Sequence, residues 1–140
     1  MDFNYIRQPE FDFEFRAYDK TAGRMMNILG FDDEQVFAVI DGDIVSLDRE
    51  DCIIDQWTGL LDQEEKKIFT DDVVEVCNSF GRPVGLFIVR YNSSEGRYIL
   101  DGVTRGAHIS RLTRWQNCRV VGNAHDKNYD VKRYTHAKRN

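Results

Sequence analysis

Near its start the chain alternates with a period of two. Phe11, Phe13, Phe15 and Ala17 fall on one side, and Asp12, Glu14, Arg16 and Tyr18 on the other. This pattern predicts a half-buried strand with its phenylalanines toward a core. Asp19 to Arg24, containing Gly23, reads as a turn into a second strand around Met25–Leu29. Val36–Ile40 and Ile44–Leu47 flank Asp41-Gly42-Asp43. An Asp-Gly pair between β-branched runs predicts a tight hairpin, because glycine tolerates the positive φ such turns need. Further along, Val73, Val74 and Val76 begin another strand, and Gly81-Arg82-Pro83 turns the chain. Val84–Tyr91 and Arg97–Leu100, joined through Asn92–Gly96, predict a second hairpin. Residues 107–116 fit either a short helix, through Ile109 and Leu112, or an alternating strand. Cys118, Val120 and Val121 read as a last strand that ends at Gly122-Asn123. Short strands at intervals of about 10 residues, with little helical periodicity, predict a mainly β domain (α+β with little helix).

A chain of 140 residues fits a single domain, divisible into lobes at about 11–55 and 56–127 with a basic tail at 128–140. No stretch approaches the about 18 apolar residues of a membrane span, so no membrane partner is expected. The N-terminus lacks a basic segment followed by an apolar run, so a cytoplasmic location is expected. Cys52, Cys77 and Cys118 are widely spaced and odd in number, which fits reduced core thiols better than a disulfide framework or a zinc site. Asn92-Ser93-Ser94 matches a glycosylation acceptor but reads as a polar turn. Charge changes the picture most. Residues 1–80 hold 7 Lys/Arg against 20 Asp/Glu, and residues 81–140 hold 12 against 4, so halves of −13 and +8 make up the net −5. Either the halves fold together and neutralise each other, or unlike faces associate head to tail.

Three stretches, taken in order, resemble the YopX family of phage proteins. The first is Phe15-Arg16-Ala17-Tyr18-Asp19-Lys20, followed by Met25-Met26. The second is Gln56-Trp57-Thr58-Gly59-Leu60-Leu61-Asp62, continuing to Lys66-Lys67-Ile68-Phe69 and Asp72-Val73-Val74. The third is Val120-Val121-Gly122-Asn123. The resemblance spans residues 15 to about 127. The chain departs from that family's pattern in three places. Glu64-Glu65 stands where Asn-Gly is usual, and because glutamate resists positive φ the turn is expected to take another form, such as a helical turn. Asp71 stands where the family has glycine, and Trp57 where tyrosine is more usual. The strand opening at Asp72 is similar to the start of small Src-homology-three-like barrels. The resemblance thus implies such a barrel in the second half, with the N-terminal strands as an added antiparallel sheet. It also implies a phage or prophage product in a bacterial cytoplasm and a homo-oligomer, and it carries no catalytic residues.

Candidate chemistry is sparse. There is no nucleophile elbow, no phosphate-cradling glycine loop and no His-Glu-x-x-His, so no catalytic residue and no cofactor is assigned. The Asp41/Asp43 pair already has a structural reason in its turn, so no metal is assigned there. His108, His125 and His136 match no ligand spacing and read as ordinary surface or packing histidines. Residues 30–80 hold 15 acids against three bases, from which a metal-dependent enzyme would have to draw its carboxylates. A second candidate is the arginine-rich segment with Arg105, Arg111, Arg114, Trp115 and Arg119. Guanidinium groups fork onto phosphates and an aromatic ring stacks on bases, so this segment is a candidate nucleic-acid or partner contact. The net charge of −5 opposes approach to a polyanion. The leading expectation is a non-enzymatic module that binds a protein partner or itself.

Overall fold

The computed structural model describes residues 14–103, 110–113 and 117–125. The elements are β1 (Phe15–Asp19), β2 (Arg24–Phe31), β3 (Gln35–Ile40), β4 (Asp43–Asp48), β5 (Cys52–Leu61), β6 (Lys67–Phe69), β7 (Asp72–Cys77), β8 (Pro83–Asn92), β9 (Arg97–Gly102), β10 (Ser110–Arg111) and β11 (Cys118–Asn123). A 3-10 turn, Arg49–Asp51, leads into β5. The expected mainly β class holds. The first six strands form one antiparallel sheet in the order β4-β3-β2-β1-β5-β6, and the rest form a second in the order β10-β9-β8-β7-β11. Among the described residues the second sheet pairs as an open row, and no pairing closes it into a barrel. No helix among them is long and apolar enough to cross a membrane.

Local chemistry explains the turns. Asp41 (φ 52°) and Gly42 (φ 83°) make the two-residue hairpin in which both central residues need positive φ. The Asn92–Gly96 turn is closed by Asn92, whose side-chain oxygen accepts the Ser94 N–H at 3.1 Å. The loop before β6 departs from expectation, because Glu65 adopts φ 63° itself. Asp62 is the reason. One of its carboxylate oxygens accepts the N–H of Glu64 and of Lys66, each at 2.8 Å, and its backbone oxygen accepts the Glu65 N–H. The other oxygen accepts the Val120 N–H at 2.9 Å, tying the loop to β11. Asp62→Ala, which strands these donors, is expected to lower stability by about 2 kcal/mol, read from the urea midpoint.

The first core is one face of the first sheet: Ala17, Met26, Val36, Ala38 and Cys52, with Ile28, Leu47 and Ile54 against it. The second core joins Ile68 of β6 to Val74, Val76, Phe87, Val89, Leu100 and Cys118. β6 therefore pairs in one sheet and packs in the core of the other. Cys52 and Cys118 are buried free thiols and Cys77 is a partly buried one. β1 is not the half-buried strand its alternation predicts. Ala17 is enclosed as expected, yet Tyr18 on the opposite side is also buried. The second sheet covers that side, and Arg16 reaches into it.

Candidate functional site

Two features stand out once the sheets are in place: a buried ionic junction between them, and an apolar outer face on the first.

The junction is assembled from distant parts of the chain. The corner Thr70-Asp71 carries the chain from one sheet to the other. The Thr70 N–H donates to the Gln56 carbonyl, the Asp71 N–H to that of Val89, and the Ala124 N–H to that of Asp71 at 2.7 Å. β1, β5, β7, β8 and the end of β11 thereby converge. Arg16 bridges two buried carboxylates, with Nε 3.2 Å from Asp55 Oδ2 and a terminal nitrogen 2.7 Å from Asp72 Oδ1. Its guanidinium also lies 4.6 Å from the centre of the Phe69 ring. Asp72 Oδ2 accepts the Phe69 N–H at 2.8 Å. His125 Nε2 lies 3.2 Å from Asp55 Oδ1 and 3.1 Å from Asp71 Oδ2. Arg90 closes the rim, 2.8 Å from Asp71 Oδ1 and 3.8 Å from Asp101. Asp71 holds this position at φ 67°, the left-handed conformation that favours glycine.

The electrostatics follow from burial and pairing. Hydrogen bonds to the Asp55 and Asp71 carboxylates raise His125 to about 9 against the opposing effect of burial. Burial pushes Asp55 up to about 6 and raises Asp72, which Arg16 offsets in part. Burial also works to raise Asp71, but the hydrogen bonds of His125 and Asp55 outweigh it and hold Asp71 at about 2. With His125 protonated, three carboxylates (Asp55, Asp71, Asp72) face three cations (Arg16, Arg90, His125). The reading of His125 as an ordinary histidine is thus corrected. It lies 70 residues from Asp55 in sequence, and no spacing could have selected it.

The second feature lies on β3 and β4. The outward pairs are Gln35–Asp48, Phe37–Ser46 and Val39–Ile44. Phe37, Val39 and Ile44 are exposed, Ile44 at 70%. Leu29, the bulged residue between the Ile28–Ala38 and Gly30–Phe37 pairs, is exposed beside them at 63%. A solvent-facing strand normally alternates polar residues outward, and here three of the six outward positions, Phe37, Val39 and Ile44, are apolar instead. Among the described residues β4 is also an edge strand, with one side of its backbone unpaired by another strand. Around the patch lie the exposed acids Asp32, Asp33, Glu34, Asp41, Asp43, Asp48 and Glu50.

The arginine-rich candidates fare unevenly. Arg111 is exposed on the short edge strand β10. Arg119 lies on β11, 3.3 Å from Glu75 and 4.0 Å from Glu64. Arg105, Arg114 and Trp115 lie outside the described residues, as does most of the ambiguous 107–116 segment. Within the described part of that segment, 110–113, Ser110–Arg111 is strand.

Fold and site together define a two-sheet β protein with an ionic seam and an acid-rimmed apolar face. The model of the YopX protein family matches residues 14–128, and the chain belongs to that family, whose function is unknown. Among solved structures, protein EF1440 from Enterococcus faecalis is similar in fold, with TM-score 0.54 and 19% identity over 82% of this chain and 94% of that one. No curated protein matches.

Proposed function

We propose that this protein is a non-enzymatic binding module that associates head to tail with a second copy of itself through the outer face of β2, β3 and β4. It would do so in a bacterial cytoplasm, as a phage or prophage accessory protein. The observation that carries the reading is the cluster of Leu29, Phe37, Val39 and Ile44, apolar residues on the outward side of a sheet whose β4 edge is free among the described residues. Charge favours the second copy as occupant. The patch is rimmed by acids, and the second sheet presents exposed apolar groups beside a base at its β7–β8 turn. Phe80 is 88% exposed at the β7–β8 turn, with Arg82 and the exposed Val84 next to it. That turn is preformed: the Asn78 side-chain oxygen accepts the N–H of Phe80 and of Arg82, and Gly81 takes φ 77°. Unlike faces meeting in this way give a ring or a filament rather than a two-fold dimer.

Sedimentation velocity from low to high micromolar concentration tests the proposal. The expected result is reversible growth beyond a dimer that weakens as salt screens the rim. A monomer at every concentration would reject self-association, and the same face would then have to serve a basic partner of another kind.

A second reading is nucleic-acid contact through Arg105, Arg111, Arg114, Trp115 and Arg119. Arg111, exposed on an edge strand, favours it, whereas the pairing of Arg119 with Glu75 works against it. It requires binding to single-stranded nucleic acid that falls steeply with salt and is lost in Arg111→Ala. Salt-independent or absent binding would end it.

A further inference from the structure

Asp55, Asp71 and His125 come from β5, the sheet-to-sheet corner and the end of β11, yet each places one donor atom within 4.8 Å of the other two. Two of the spacings, 3.2 Å and 3.1 Å from Nε2 to the two carboxylates, have a second meaning besides hydrogen bonding. Donors about 2.1 Å from a single ion lie about 3.0 Å apart at a right angle and about 3.4 Å apart at the tetrahedral angle. The observed spacings fall between these values. We propose that Asp55, Asp71 and His125 form a three-donor site for one divalent first-row metal ion, such as Zn²⁺, Mn²⁺ or Co²⁺. One imidazole nitrogen with two carboxylate oxygens suits these ions better than Ca²⁺ or Mg²⁺, which favour oxygen throughout.

Two observations support the site, and a third argument comes from charge. The first is Tyr18. Its ring stacks on that of His125, with centroids 5.4 Å apart and planes 25° apart. Its hydroxyl is buried with no hydrogen-bond partner among the described residues. That hydroxyl belongs to the ring packed on His125, and a water on a bound ion is the kind of partner a buried hydroxyl lacks. The second is access. The Asp55 side chain is fully buried, while those of Asp71 and His125 are 21% and 11% exposed, so the site opens on one side. The third is charge. The ion takes the place of the His125 proton, and Arg90, half-exposed, gives up Asp71 for Asp101 on its own hairpin. Arg16 stays on Asp55 and Asp72, orienting the Asp55 carboxylate from behind.

The test is titration of the chelator-stripped full chain with Zn²⁺, Mn²⁺ and Co²⁺ by calorimetry, with the visible spectrum of the Co²⁺ form as a second readout. The expected result is saturable binding of one equivalent, together with a Co²⁺ spectrum showing mixed nitrogen and oxygen ligands. Asp71→Asn and His125→Gln should each weaken binding by on the order of tenfold or more. Asp71 is partly exposed, so its asparagine variant is expected to fold, as checked by circular dichroism. No saturable binding of any of the three ions to the wild type, or binding unchanged in both variants, overturns the proposal. Because the sheet face on β2–β4 is not involved, either result leaves the self-association reading where its own test puts it.

Discussion

Arg16→Ala is expected to destabilise the fold by about 3–5 kcal/mol, more than any other single polar truncation in the molecule. The Arg16 side chain is 13% exposed and faces two carboxylates at 0% and 2%. Its removal leaves Asp55 with His125 against it and takes from Asp72 its salt bridge, leaving Asp72 the weaker pull of Lys66. A carboxylate so placed must either remain charged without a partner or take up a proton, and both cost stability at neutral pH. The loss should appear as a fall in the urea midpoint with an unchanged slope. Adding Asp72→Asn to the alanine variant should recover part of it, since the orphaned charge is then gone. A fall below about 1 kcal/mol would mean that water reaches the seam and that the two sheets are held by their cores alone.

Ile44→Asp is expected to weaken self-association by on the order of a hundredfold while leaving the fold intact. Ile44 is 70% exposed in the monomer, so the substitution removes little from the core. At a docked interface it has two effects. It deletes an apolar anchor beside Val39, and it buries a charge with no partner, in a face already ringed by acids. Arg82→Glu on the opposing surface should act in the same direction and give a milder change, because a rim charge alters encounter rate and salt dependence more than the apolar contact. Equal association in wild type and Ile44→Asp would place the contact elsewhere.

Much of the strand layout was legible because short-range chemistry sets it. Asp41-Gly42 and Asn92–Gly96 each carry the conformational preference of their own turn, and the runs they join are β-branched or aromatic. The second face of β1 was not legible. Alternation tells which residues share a side, but not that both sides will be covered, and Tyr18 is buried by residues from the other sheet. Glu65 shows the limit of propensity, since a positive φ unfavourable to glutamate is imposed by three hydrogen bonds to Asp62. β6 was hidden because three residues at the end of a charged loop carry no period.

The ionic junction was the least visible feature. His125, Asp55 and Asp71 lie too far apart in sequence for any spacing rule. The one local hint was Asp71, a charged residue at a position where the family resemblance calls for glycine. A side chain that accepts left-handed backbone needs partners to hold it there, and His125 and Arg90 are those partners. The arginine-rich segment drew attention by composition, but Arg119 answers to Glu75 of its own chain. The charge asymmetry between halves is therefore partly consumed within the fold. The acids around β3 and β4 are not so consumed, and they frame the surface on which the proposed function rests.

The most direct measurement of that surface is amide hydrogen exchange read by mass spectrometry on dilute and concentrated protein. The account predicts that concentration slows exchange in two places only, the β2–β4 segment and the β7–β8 turn around Phe80, with the edge strand β4 most protected. Exchange that is identical at both concentrations, or protection confined to other strands, would contradict it.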